Sequence, residues 1–318
     1  MELTAPMSKN LGEPTLASSY VLITAAYNED RYIENVLRSV VSQVHPPKRW
    51  VIVSDGSTDR TDEMVSNYAK DYPFIELLPL REKHDRNFAA QVNAIRSGYE
   101  QLKDLDFEFV GNLDADVSFG PEYFQRLIQI MRNERDLGLS GGFIYEDGPQ
   151  GFSSRHHNTT NSVAHAVQFF RRECYESIGG YIPLPYGGPD WCAEISVRMK
   201  GWRVEAIPEL QVNHHRSTGG GTGVLRYAFQ QGMMDHSLGS HPAIEVLRCV
   251  RRLRDRPYGL SALVRMSAFL YATVRRQKRP VSKEFVKFLR KSEMGRLSSW
   301  AGTGNPPENV AQVPRDNG

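Results

Sequence analysis

Cysteine is nearly absent from this chain of 318 residues: Cys174, Cys192 and Cys249 stand far apart. That spacing fits neither a disulfide framework nor a thiolate metal site, and it points to a reducing compartment. Long hydrophobic runs are missing too. No stretch of about eighteen apolar residues occurs, so no spanning helix is expected. The opening "MELTAPMSKNLGEPTLASS" lacks an apolar core, so no secretory signal is expected either. No internal repeat is present, which removes solenoids and propellers. Charge of one sign is not in excess: the net charge is +2, and a nucleic-acid binder held by bulk charge is not expected.

What the chain does have is an ordinary globular composition, 40% hydrophobic, and a regular alternation. "YVLITAA" (20–26), "RWVIVSD" (49–55), "FIELLPL" (74–80) and "FEFVGNL" (107–113) read as buried strands. Between them lie helical patterns, from about Asp30 (Ile33, Val36, Leu37, Val40 and Val41 on one face), from Asp59 to Lys70, and over 87–101. "PEYFQRLIQIMRN" follows as a helix with Pro121 in its first turn. Strand–helix alternation predicts an α/β fold, a mostly parallel Rossmann-like sheet with helices on both faces. Beyond residue 137 a strand over "LSGGFIYEDG", a loop over "GFSSRHHNTT", a short helix near "RRECYESIG", a helix through "DWCAEISVRMKG" and two strands, "WRVEAIP" and "LQVNHH", are expected. From Thr222 onward the pattern is helical. The expected organisation is a flexible tail over 1–18 and an α/β domain over 19–221, divided near 120 into two halves. A basic helical extension over 222–300 and a disordered tail over 301–318 complete it.

In an open parallel sheet, ligands bind at the carboxyl ends of the strands. Three ends here carry acids: Tyr27-Asn28-Glu29, Asp55-Gly56-Ser57 and Asp114-Ala115-Asp116. Each has a plain structural reading. Asp55 can turn the chain, Asp59 can cap a helix, and Asp116 can belong to a turn before Gly120-Pro121. Together on one edge, however, like charges call for a cation and a polyhydroxylated ligand to satisfy them.

"VLITAAYNEDRYIENVLRSVVSQ", "WVIVSDGSTDRT", "NFAAQVNAIRSGYE", "GNLDADVSFGPEYF", "FFRRECYESIGGY" and "PDWCAEISVRMKGWRV" occur in an order that resembles a family 2 glycosyltransferase with the GT-A fold, over roughly residues 20–216. That resemblance implies an inverting enzyme that moves a sugar from a nucleotide-diphosphate sugar, a UDP-sugar above others, to a hydroxyl acceptor. It implies that Ala26, Tyr27 and Glu29 line the nucleoside pocket with Asn87 and Asn93. Asp55 would meet the base, and Asp114 would lie near the ribose and diphosphate. Asp116 would bind Mn²⁺ or Mg²⁺ with His214 or His215, and Asp190 would be the catalytic base. The family usually places Glu-Asp before the acceptor helix, whereas this chain has Pro189-Asp190. Asp190 has a structural role available as an N-cap, compatible with catalysis because a helix N-terminus stabilises negative charge. Glu194, one turn on, is the substitute base. "RSTGGGTG" (216–223) could fold over a diphosphate with Arg216 nearby.

The charge balance hides an asymmetry. Arg248 to Arg279 holds ten Lys or Arg residues and one acid, Asp255, so that segment is +9 and the rest −7. Leu260, Leu263, Val264, Ser267, Leu270, Tyr271 and Val274 fall on one helical face, with Arg265, Arg275 and Arg276 elsewhere. Ala243, Val246, Leu247, Val250 and Leu253 form a second stripe. The stripes are either core contacts beneath solvated arginines or an interfacial module on an anionic membrane. A cytoplasmic protein, peripheral on the cytosolic face of a membrane, with a lipid-linked acceptor in polysaccharide or glycolipid assembly, is the expectation. No nucleic-acid partner is expected, since no aromatic-plus-basic module is present. The rival enzyme, a nucleotidyltransferase, needs a Gly-rich basic loop after the first strand, where "AYNED" stands. The rival scaffold, a nucleotide-sugar binder without catalysis, would have lost Asp116 or Asp190.

Overall fold

The computed structural model describes residues 20–80, 88–148, 151–155, 158–216, 223–254 and 258–302. The chain runs β1 (Tyr20–Ala26), α1 (Ile33–Val41), β2 (Arg49–Ser54), α2 (Thr61–Asp71), β3 (Ile75–Pro79), α3 (Phe88–Leu102), β4 (Phe109–Asn112), β5 (Val117–Phe119) and α4 (Tyr123–Asn133). It continues through β6 (Leu137–Glu146), β7 (Ser153–Ser154), a 3-10 turn (His165–Val167), β8 (Phe169–Arg171), α5 (Arg172–Ser177), α6 (Pro189–Met199) and β9 (Arg203–His214). Four helices follow: α7 (Val224–Leu238), α8 (Pro242–Arg251), α9 (Leu260–Val274) and α10 (Lys283–Gly302).

The strands form one sheet in the order β3-β2-β1-β4-β8-β6-β9-β5, with β7 on β6. β3, β2, β1 and β4 are parallel, as their unbroken apolar runs predict. The other half is mixed rather than mostly parallel, because β8 enters antiparallel between β4 and β6. Strand alternation sends Tyr20, Leu22 and Ala26 to one face, where α1, α2 and α4 pack. Val21 and Ile23 go to the other face, against α3, α5 and α6.

Three sequence expectations change here. The two strands foreseen over 202–215 are one, β9, accommodated by an irregularity in its register against β6. Pro121 lies in the turn before α4, not in its first turn. A short strand, β5, follows Asp116 directly and pairs antiparallel with the end of β9.

Candidate active site

The sheet gathers its acids through loops at the carboxyl edge. Asn28 adopts a left-handed backbone (φ 51°) at the end of β1, and its side-chain oxygen accepts from Thr58 N at 2.8 Å. Glu29 N donates to Thr61 Oγ1 at 2.8 Å. Asp59 accepts from Asp30 N through one oxygen and from Thr61 N through the other, both at 3.0 Å. The loops after β1 and β2 are thus stitched together, and Asp59 serves that purpose rather than a ligand. Asp55 N donates to Ala26 O at 2.9 Å, which sets these two strand ends side by side.

β5 makes the next connection. Val117 pairs with His214, and His215 N donates to Asp116 O at 2.9 Å. Strand alternation then sends the two imidazoles apart. His214 Nε2 lies 3.3 Å from Asp116 Oδ1. His215 instead meets Ser118 Oγ at 2.8 Å and stands edge-on to Phe152. Asp114, Asp116 and His214 offer ligand atoms that all lie within 4.8 Å of one another. Asp116 Oδ1 and His214 Nδ1 are buried and without hydrogen-bond partners, so the His214–Asp116 approach is a contact rather than an aligned hydrogen bond. A buried orphan oxygen beside a second carboxylate and an imidazole fits a divalent cation. Two hard oxygen donors suit a divalent cation such as Mg²⁺ or Mn²⁺.

Asp114 accepts from Gln91 Nε2 at 3.3 Å and approaches His165 Nδ1 at 3.2 Å. Burial would raise its pKa, but His165, His214 and Arg216 outweigh this and hold the carboxyl below its ordinary value. Burial would likewise depress His165, and Asp114 outweighs it and raises the imidazole. Arg216 binds Glu29 Oε2, lies 3.5 Å from Asp116 Oδ2, and sits over the ring of Tyr32. Burial pushes Glu29 up to about 7, against the pull of Arg216 and with help from Asp116.

Asp190 arrives from the opposite side. Gly188 (φ 80°) turns the chain in a left-handed conformation and Pro189 starts α6, so Asp190 falls in the first helical turn. Its Oδ1 accepts from Trp191 N at 2.8 Å. A cavity of about 300 Å³ is lined by Asp190, Asp114, His214, His165, Gln91 and Arg155, among others. Glu194 does not share it. That side chain is buried, accepting from Ser162 Oγ and Val163 N at 2.8 Å and from Arg198 at 3.2 Å, so no oxygen is left to act as a base.

Asn93 is exposed, because Val92 and Ile95 point into the core, and Gln91 reaches Asp114 instead. Asn87 lies outside the described residues, as do residues 217–222 of the Gly-rich segment. His165 and Arg155 carried no motif; lone residues in a loop give no signal until the fold brings them to the cavity.

A family model described as "Glycosyl transferase family 2" matches residues 21–231. The chain belongs to that family. A poly-beta-1,6-N-acetyl-D-glucosamine synthase of Staphylococcus epidermidis is 30% identical over 122 residues, which is 38% of this chain and 27% of the synthase. An uncharacterized glycosyltransferase of Nostoc is 27% identical over 127 residues, 40% of this chain and 37% of that protein. The matched segment thus spans only about a quarter to a third of these relatives. Among solved structures, a mannosyltransferase of Pyrobaculum calidifontis in complex with GDP-Man and Mn²⁺ aligns with a TM-score of 0.53 and 17% identity, over 91% of this chain and 77% of the other. Staphylococcus aureus TarS in complex with UDP-GlcNAc aligns with a TM-score of 0.51 and 14% identity, over 85% and 79%. These likenesses establish the GT-A fold, and the family match places a glycosyltransferase family 2 domain across about two thirds of the chain.

Proposed function

We propose that this glycosyltransferase moves a sugar from a UDP-sugar to a hydroxyl of a lipid-linked saccharide, with inversion, as a peripheral enzyme on the cytosolic face of a membrane. The observation that carries the reading is the meeting of Asp114, His214 and Asp190, from three separate parts of the chain, at one cavity, with Asp116 beside the first two. The poly-N-acetylglucosamine synthase and the UDP-GlcNAc complex of TarS favour a UDP-sugar; the GDP-Man complex is the competing precedent.

In this reading Ala26, Tyr27, Glu29 and Asp55 form the nucleoside side, and Asp114 and Asp116 face the diphosphate. Asp114, Asp116 and His214 would hold Mn²⁺ or Mg²⁺, which supplies positive charge against the departing diphosphate. Gln91 and His165 fix the orientation of Asp114. Asp190 takes the proton of the acceptor hydroxyl as its oxygen bonds the anomeric carbon. Attack from the face away from the diphosphate breaks the anomeric C–O bond and inverts the centre. Partial positive charge on the sugar ring develops as in glycoside hydrolysis.

Calorimetric titration of the full chain with UDP, GDP and dTDP, with and without Mn²⁺, tests the donor half. UDP binding that tightens with Mn²⁺ is expected, and tighter binding of GDP or dTDP would overturn the choice of base. The anomeric configuration of the product, read by NMR, tests inversion.

A further inference from the structure

The outer side of α7–α9 is not used by the proposed transfer chemistry, yet it is unusually apolar. On α9, Leu263 is 63% exposed and Val274 79%, with Leu270 between them. Val246 and Val250 on α8, and Leu253 in the turn just after it, are each about half exposed. At the start of α7, Leu225 and Phe229 are exposed in the same way. Gly232 of α7 has no room for a Cβ against the Arg265 carbonyl of α9, and four residues further along both helices His236 stands 6.0 Å from Phe269. The two helices therefore run parallel, and their apolar first turns lie at one end.

Charge on this surface has one sign. Among the described residues from Val224 to Lys278 the acids are Asp235 and Glu245. Both are buried and ion-paired with Arg248 and Arg265. Exposed around the apolar stripes are Arg226, Arg251, Arg254, Arg275, Arg276 and Lys278. An exposed apolar face rimmed by cations, with no exposed acid among the described residues from Val224 to Lys278, matches a bilayer containing anionic lipid. A second copy fits poorly, since a two-fold contact would set the same arginines against each other. No helix among the described residues is long and apolar enough to cross a membrane. α9, with 15 residues, reaches only about 22 Å, short of a hydrocarbon core of about 30 Å.

We infer that the outer face of α8 and α9, with the first turns of α7, docks in the plane of an anionic bilayer. The docked pose brings the mouth of the transfer site to the lipid surface. Arg216, at the site, and Val224, on the docking face, are eight positions apart in the sequence, a reach of at most about 28 Å. On its other side α7 supports the catalytic turn, where Gly188 packs on Met234 and Leu238. The docking face stands on its own observations. The orientation rests on the lipid-linked acceptor proposed above.

The test is co-sedimentation of the full chain with phosphatidylcholine vesicles, with and without phosphatidylglycerol, at low and high salt. Binding to the anionic vesicles, weakened by salt, is expected. Leu263→Glu with Val274→Glu should lower it by at least about tenfold, because both side chains would leave the apolar layer. Arg254→Gln with Arg275→Gln should lower it by roughly fivefold per arginine. Calorimetric UDP–Mn²⁺ binding and the melting temperature of each variant should match those of the unaltered chain. No binding to anionic vesicles, or variants that sediment like the unaltered chain, overturns the inference. A dimer in analytical ultracentrifugation that Val274→Glu dissolves would assign the face to a second copy and overturn it too. Vesicle binding without UDP binding would leave docking standing and remove the donor reading; the reverse result would remove docking alone.

Discussion

Two groups of carboxylates in this molecule are treated in opposite ways. In the helical layer, Asp235 and Glu245 are closed in by their own cations. Arg265, only 3% exposed, binds both, and Arg248 adds contacts to Asp235 at 2.8 Å and to Glu293 at 3.2 Å. At the sheet edge, Asp114 and Asp116 stand one residue apart with two imidazoles and the half-exposed Arg216, and Asp116 Oδ1 keeps no hydrogen bond. Burying a charge is costly unless it is paired. The helical layer resolves that cost internally and so is a strut. The sheet edge leaves it open, and Asp114, Asp116 and His214 there could hold a metal ion. Counting buried acids does not separate the two; following each oxygen to its partner does.

The comparison is broken most directly by removing one member of each group. Arg265→Ala should cost about 3–5 kcal/mol of unfolding free energy in denaturant titration, since two buried carboxylates lose the buried cation they share and keep only the more exposed Arg248. Above the pH range in which His214 is protonated, Asp116→Ala should leave the metal-free chain no less stable, because it relieves repulsion with Asp114. The same variant should abolish the Mn²⁺-dependent part of UDP binding in calorimetry. If Asp116→Ala destabilised as Arg265→Ala does, the sheet edge would be a strut as well.

Asp190→Asn is the next largest effect. The amide keeps the shape of the turn after Gly188 but cannot take a proton. Transfer should fall about 10²-fold or more while UDP–Mn²⁺ affinity stays near that of the unaltered chain. Near-normal turnover, followed as UDP release, would move the base elsewhere, though not to Glu194, whose oxygens are engaged.

Much of this contrast could be read in the sequence, and the reason for each gap is physical. β1 and β2 were legible because strands buried on both faces need unbroken apolar runs. Asp114 and Asp116 were legible because they follow such a run. Arg265 was not: it was expected away from the core, and its partners lie 30 and 20 residues away, beyond any local pattern. Gln91 was missed and Asn93 chosen because the phase of α3 is set by the packing of Val92 and Ile95, not by the polar residues themselves. The choice between His214 and His215 needed the register of β5, a strand of three residues, too short to be seen as a period. The apolar stripes of α8 and α9 were visible as stripes, but whether a stripe faces core or solvent depends on what packs against it.

The smallest effect concerns protons at the sheet edge. Burial would depress His214, but Asp116 and Asp114 beside it outweigh that and raise its pKa. In the metal-free chain this raised value stabilises the fold fully below the ordinary imidazole pKa of about 6.5. That stabilisation is lost as pH rises through the folded-state value. A metal ion needs the same nitrogen unprotonated, so proton and metal compete for it. Mn²⁺ affinity measured in the presence of UDP should therefore fall as pH is lowered, approaching about tenfold per unit for one proton, and the fall should begin above the ordinary imidazole range. Thermal melts should agree from the other side, with the stabilisation brought by Mn²⁺ and UDP growing as pH rises. His214→Asn should weaken the metal at high pH and flatten its pH dependence. A slope that survives in His214→Asn would mean that another group, with His165 next in line through Asp114, governs the exchange.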